Sequence, residues 1–134
     1  MPNLITLIEE GPCLYKGKGV SEKLILDAED KLGLEFAQEY RDYLTQFGYA
    51  AINGCELTGL GAEGFDGVVE ITMNARRRMN QRLDGFYVVE QTNIDGILIW
   101  QDRSGVIYQS VAGDKPIPIA ESLGDYLMGN VEVY

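Results

Sequence analysis

"FYVVEQTNIDGILIWQDRSGVIYQS", residues Phe86–Ser110, decides the fold class. Its three runs, FYVVEQ, GILIWQD and GVIYQS, are rich in β-branched and aromatic residues, which suit a pleated, half-buried surface. The first two are divided by TNID before Gly96 and the last two by RS before Gly105. A parallel crossover needs a dozen residues or more, so strands joined this closely return on one another as an antiparallel meander.

Upstream, TMNARRRMNQRL reads as a helix begun by Thr72 that buries Met73, Met79 and Leu83. Before it, AAINGCEL sets Asn53 and Gly54 between two apolar runs, the composition of a two-residue hairpin turn. Two amphipathic helices precede the hairpin. In VSEKLILDAEDKLG, Ser21 is the N-cap, and Val20, Leu24, Ile25, Ala28 and Leu32 recur at helical spacing before Gly33. In LEFAQEYRDYLTQFG, Phe36, Tyr40, Tyr43, Leu44 and Phe47 form a second stripe that stops at Gly48. A shorter helix is expected over Leu4, Leu7 and Ile8. Downstream, ESLGDYLMG places Ser122 and Asp125 at capping-box spacing, with Leu123, Tyr126 and Leu127 able to dock on the sheet. Helices first, then a mostly antiparallel sheet with helices packed on one side, is an α+β arrangement. No repeat, low-complexity tract or long linker divides residues 1–134, so a single domain is expected.

Composition narrows the function. Eleven Lys and Arg against 21 Asp and Glu give a net charge of −10, which repels phosphate backbones and anionic membranes and favours a basic protein partner. Neither nucleic acid nor membrane is therefore expected as a partner. The opening MPNLITLIEEG lacks a basic leader and reads as part of the fold. Cys13 and Cys55 are too few for a disulfide framework and too far apart to chelate, which suits reduced thiols in a cytoplasm. With no histidine, the commonest general base and metal ligand is missing, and Ser or Thr nucleophiles lack an activating partner. No catalytic residue, metal ligand set or cofactor is expected.

Gly59, Gly61 and Gly64 in GLGAEG match the GxGxxG spacing of a dinucleotide loop, but that loop belongs between the first strand and first helix of a parallel unit. Here the glycines follow a hairpin, FDGVVEI after them shows no helix start, and Glu63 and Asp66 would face the phosphates with no cation beside them. They read instead as shaping a rim loop. Glu9 and Glu10, and Asp27, Glu29 and Asp30, read as solvated acids rather than a catalytic pair. Arg76, Arg77 and Arg78, with Arg82 a turn on, read as a solvated helix face or, functionally, as a docking site for carboxylates or phosphate. Trp100 reads as core.

These pieces, in order and spacing, resemble the SUKH superfamily, which includes the yeast cell-wall-assembly regulator and many bacterial immunity proteins. Glu39, Tyr40, Tyr43 and Leu44 match its E-Y-x-x-[FY]-L helix, Gly48 and Gly54 its turns, and Asp102 and Gly105 its D-x-x-G strand turn. Phe36 and Ala37 stand where the family usually has Leu-Pro. The resemblance implies a non-enzymatic immunity protein, or antitoxin, that binds a cognate bacterial toxin and occludes its active site; a basic nuclease suits the acidity. The alternative it implies is a regulatory or scaffold module. Contacts with the toxin are expected from acids of the rim loop and sheet edge, Glu56, Glu63, Asp66, Glu70, Glu90 and Asp95. Monomer and homodimer stay open.

Overall fold

The computed structural model describes residues 3–11, 13–52, 54–61, 67–79, 83–92, 94 and 96–129. The Asn3 side chain accepts the N–H groups of Ile5 and Thr6 and so opens helix α1 (Leu4–Glu10). A short strand, β1 (Cys13–Lys16), leads to α2 (Glu22–Leu32), where Ser21 Oγ accepts the N–H of Leu24 at 3.3 Å, the cap expected from the sequence. Helix α3 (Gln38–Gln46) follows, then the hairpin strands β2 (Ala50–Ile52) and β3 (Cys55–Glu56). Ile52 pairs with Cys55, leaving a two-residue turn in which Gly54 takes φ +78°.

Helix α4 (Val68–Arg78) precedes the meander β4 (Tyr87–Gln91), β5 (Ile97–Gln101) and β6 (Ile107–Val111). A further strand, β7 (Ile117–Ala120), and helix α5 (Leu123–Leu127) complete the described fold. The strands form an antiparallel three-stranded sheet, β1-β2-β3, and an antiparallel four-stranded sheet, β4-β5-β6-β7. Leu57 bridges to Glu90, and the N–H of Thr58 donates to Val89 O at 2.9 Å, which stitches the two sheets together beside β3 and β4. The α+β order read from the sequence is present. Strands β1 and β7 are additions to it. In β7, Pro118 hides the strand pattern, and the fold tolerates the missing N–H because β7 is an edge strand.

Successive residues of a strand point to opposite faces, and the core divides accordingly. Tyr87, Val89, Ile99 and Ile107 join Ile8, Ile25, Tyr40, Tyr43, Leu44 and Leu123 in the larger apolar cluster, with α1, α2, α3 and α5. Val88 and Trp100 join Ala75, Met79 and Leu83 in a second cluster under α4. Trp100 is fully buried, as expected, and its Nε1 donates to Ser110 Oγ at 2.9 Å.

Expectations for two of the helices are corrected. Helix α4 begins at Val68 rather than Thr72. Val68 is fully buried in the larger cluster, while Thr72 sits inside the helix and accepts the N–H of Val88 at 3.0 Å, so tertiary packing overrides a VVEI segment with strand-like propensity. Met73 is exposed although Met79 and Leu83 are buried. On α2, Leu24 is exposed and Glu29 is buried, so the buried stripe is narrower than its apolar residues suggest.

Candidate functional site

The corner between α2 and α3 is tied to the sheet by a chain of hydrogen bonds. The N–H of Phe36 donates to Glu29 Oε2 at 2.8 Å, and Arg41 Nη1 donates to Glu29 Oε1 at 2.6 Å. Arg41 Nη2 pairs with the exposed Glu22. A buried carboxylate is costly unless paired and hydrogen-bonded, and Glu29 is both. The N–H of Ala37, at a position where a proline would have none, donates to Tyr87 Oη at 2.9 Å. Tyr87 Oη in turn donates to Gln101 Oε1 at 2.8 Å, and Gln101 Nε2 donates to Glu39 Oε1 and to Gly105 O at 2.9 and 3.0 Å. Burial pushes the Tyr87 phenol well above its ordinary 10.0, so it stays a donor at any physiological pH.

These bonds set the α2–α3 corner against two turns of the sheet, the Asp84–Phe86 turn before β4 and the Asp102–Ser104 turn between β5 and β6. The space between them is an open cleft of about 790 Å³. Its apolar surface comes from Leu34, Phe86 and Leu26, the last 51% exposed. Phe86 is held edge-on against Tyr108, with centroids 4.9 Å apart at 89°. Tyr108 Oη donates to Asp102 Oδ2 at 2.9 Å, and burial, then Asp102, pushes its phenol up to about 12. Asp102 Oδ1 accepts the N–H of Ser104 at 3.0 Å, which makes the D-x-x-G segment a fixed turn. Behind the cleft, Arg76 Nη1 donates to Leu32 O at 3.0 Å and Nη2 to Phe86 O at 3.4 Å, pinning α4 to both walls.

The rim is acidic. Asp30, Glu35, Asp84 and Asp102 line it, and Arg103 is the one cation among the described lining residues, 3.7 Å from Glu35 with both side chains largely in water. An exposed pair of that kind holds little energy and opens readily. Chemically, the cleft offers apolar surface surrounded by negative charge.

Of the acids expected to touch a partner, Glu56, Glu70 and Glu90 fall among the described residues. Glu56 is exposed on β3 and Glu70 is exposed in the first turn of α4. Glu90 is a correction: it is only 7% exposed, accepts a hydrogen bond from Tyr126 Oη, and lies under α5 instead of on the surface. Glu63, Asp66 and Asp95 lie outside the described residues, as do Gly64 and Arg82.

The glycine loop is a chain crossing as far as it is described. A Cβ on Gly59 would lie 2.0 Å from Gly48 O, so only glycine allows the two backbones to pass. A helix does start after this loop, contrary to the sequence reading, but the N–H of its first residue, Val68, donates to Gly59 O at 3.0 Å. Arg76 is likewise not part of a solvated face, whereas Arg77 and Arg78 are exposed. Sequence reasoning missed the cleft residues. One signal was present: Leu26 lies off the stripe formed by Ile25, Ala28 and Leu32, an apolar side chain on the wet side of α2.

Among the described residues, no helix is long and apolar enough to cross a membrane, and no group of three or more His, Cys, Asp or Glu is placed to hold a metal ion. No curated protein matches the chain. A SUKH family model described as SMI1-KNR4 cell-wall matches residues 1–132.

Proposed function

The chain belongs to the SUKH family, and on that premise we propose that it is a non-catalytic immunity protein that binds a cognate bacterial toxin and blocks its active site. The observation that carries this reading is where the fold spends its buried polar side chains. Glu29, Tyr40, Thr58, Tyr87 and Gln101, with the partly buried Glu39, bond to backbone and to one another across elements, which supports a role in holding the shape of a binding surface. A rigid acidic surface is what inhibition by occlusion requires. Charge opposition to a basic toxin, such as a nuclease, accelerates encounter and weakens with salt. The exposed Glu56 and Glu70 add to that field.

A regulatory or scaffold role is the second reading, favoured by the cell-wall description of the matching family. Co-expression with the product of the adjacent gene separates the two. Relief of growth arrest, with a complex that co-purifies at low salt, supports immunity. Undiminished arrest and no complex would remove it and leave the regulatory role.

A further inference from the structure

We infer that the cleft between the α2–α3 corner and the turns at Asp84–Phe86 and Asp102–Ser104 is the docking site for a basic segment of a protein partner, one that carries an apolar anchor between arginine or lysine side chains. The inference deepens the binding role proposed above and rests on it only for the partner's identity.

Charge complementarity selects the occupant. Four rim acids, Asp30, Glu35, Asp84 and Asp102, surround the cleft against Arg103, the one cation among the described lining residues, while Arg76 behind it lies within electrostatic reach of Asp84 and Glu29 is matched by Arg41. An acidic peptide or a phosphate would meet repulsion from these four carboxylates. A cationic segment meets attraction from all of them and can displace Arg103 from its weak contact with Glu35. The cleft also has the second component of a protein docking site, since Leu26, Leu34 and Phe86 offer apolar surface for one anchor inside the charged ring. Leu26 is the informative residue. It is half-exposed on a helix whose packing stripe lies elsewhere, so it contributes nothing evident to the core, and it lines the cleft together with this ring of acids.

The walls are preorganised. The α2–α3 corner is fixed by Glu29, Arg41 and Tyr87, and the opposing turn by Asp102, Tyr108 and Gln101, so little ordering remains to oppose binding.

The test uses isotope-labelled full chain titrated at low salt with a capped Arg-Arg-Leu-Arg peptide, followed by amide NMR shifts. The inference expects shifts concentrated at Asp30, Leu34, Gly85 and Ser104. Affinity should fall about tenfold in an Asp30→Lys/Glu35→Lys variant and severalfold in Leu26→Ser, while Asp114→Lys, at an exposed position beyond the far end of β6, changes it little. Leucine replaced by serine in the peptide should also weaken binding. Shifts scattered over the acidic surface, an equal loss in Asp114→Lys, or no saturable binding would overturn the docking site. In the co-expression assay, protection by wild type that survives in Asp30→Lys/Glu35→Lys overturns the cleft and leaves immunity standing. Failure of wild type to protect strikes the proposed function, and the peptide map still decides the cleft.

Discussion

Glu39 of α3 accepts the backbone N–H of Leu123, 84 residues further along the chain, at 2.8 Å. Its second oxygen accepts the N–H of Gly124 at 3.0 Å. The first N–H groups of a helix have no partner within it, and a negative charge there also suits the helix dipole. One carboxylate therefore shares the capping of α5 with Ser122 and, through Gln101, joins the helix to the sheet. Glu39→Ala should cost about 2–3 kcal/mol, because bonds to a charged group are lost and buried donors are left bare. Urea unfolding measures the loss. Hydrogen exchange at Leu123 and Gly124 should accelerate ahead of the rest of the chain, and unchanged exchange there would show that α5 stands without this cap.

Thr58 makes a second test of the same kind. Tyr40 Oη and Thr58 Oγ1 are 2.8 Å apart, and Thr58 Oγ1 donates to Val88 O at 2.8 Å, so the phenol is the donor of the pair. Both groups are fully buried. Thr58→Val leaves the phenol without an acceptor and should cost about 1–3 kcal/mol. Adding Tyr40→Phe removes the stranded hydroxyl, so the double variant should lose clearly less than the two single losses added together. Strict additivity would mean that the hydroxyls do not depend on one another.

Which parts of this architecture were legible in the sequence follows from how local their causes are. Ser21 and Ser122 cap the helices that begin beside them, and the two-residue hairpin carries its own glycine, so each could be read in place. The E-Y-x-x-[FY]-L resemblance located Glu39, Tyr40 and Tyr43 but not their work, which depends on Thr58 after β3 and on partners in β5 and α5. Burial of Glu29 was hidden because its guanidinium partner arrives from another helix, and burial of Glu90 because Tyr126 covers it from the far end of the chain. The cleft draws on three separated segments, so no local pattern announces it.

Trp100 offers a direct optical check. It is the only tryptophan, is fully buried between α4 and the meander, and its indole N–H is satisfied by Ser110. Native emission should be blue-shifted and nearly immune to iodide, and both properties should vanish on unfolding. Ser110→Ala strands the indole donor and should cost about 1–2 kcal/mol without changing iodide access. Strong quenching of the native protein would contradict the packing under α4.

Cys55 sets the alkaline behaviour. Its thiol lies beside Glu90, and burial first, then the Glu90 carboxylate, pushes it from the ordinary 9.0 up to about 12. In a Cys13→Ser variant, which leaves Cys55 as the only thiol, alkylation by iodoacetamide should be slow at pH 8 and rise only as the pH approaches 12 or as urea unfolds the chain, because the thiolate is the reactive form. The same shift acts on stability. A group whose folded pKa is raised contributes fully below its unfolded value and loses that contribution as pH climbs through the folded one. The thiol's share should therefore be intact below pH 9 and decline from there toward pH 12. Tyr40, Tyr43 and Tyr87, also raised by burial, begin to add to the decline above pH 10. Cys55→Ala removes the earliest part of this slope, so urea midpoints of the variant should hold flat to higher pH than those of the parent. Identical midpoint curves for the two, or rapid alkylation of Cys55 at pH 8 in the folded protein, would show that the thiol is not held beside Glu90 as described.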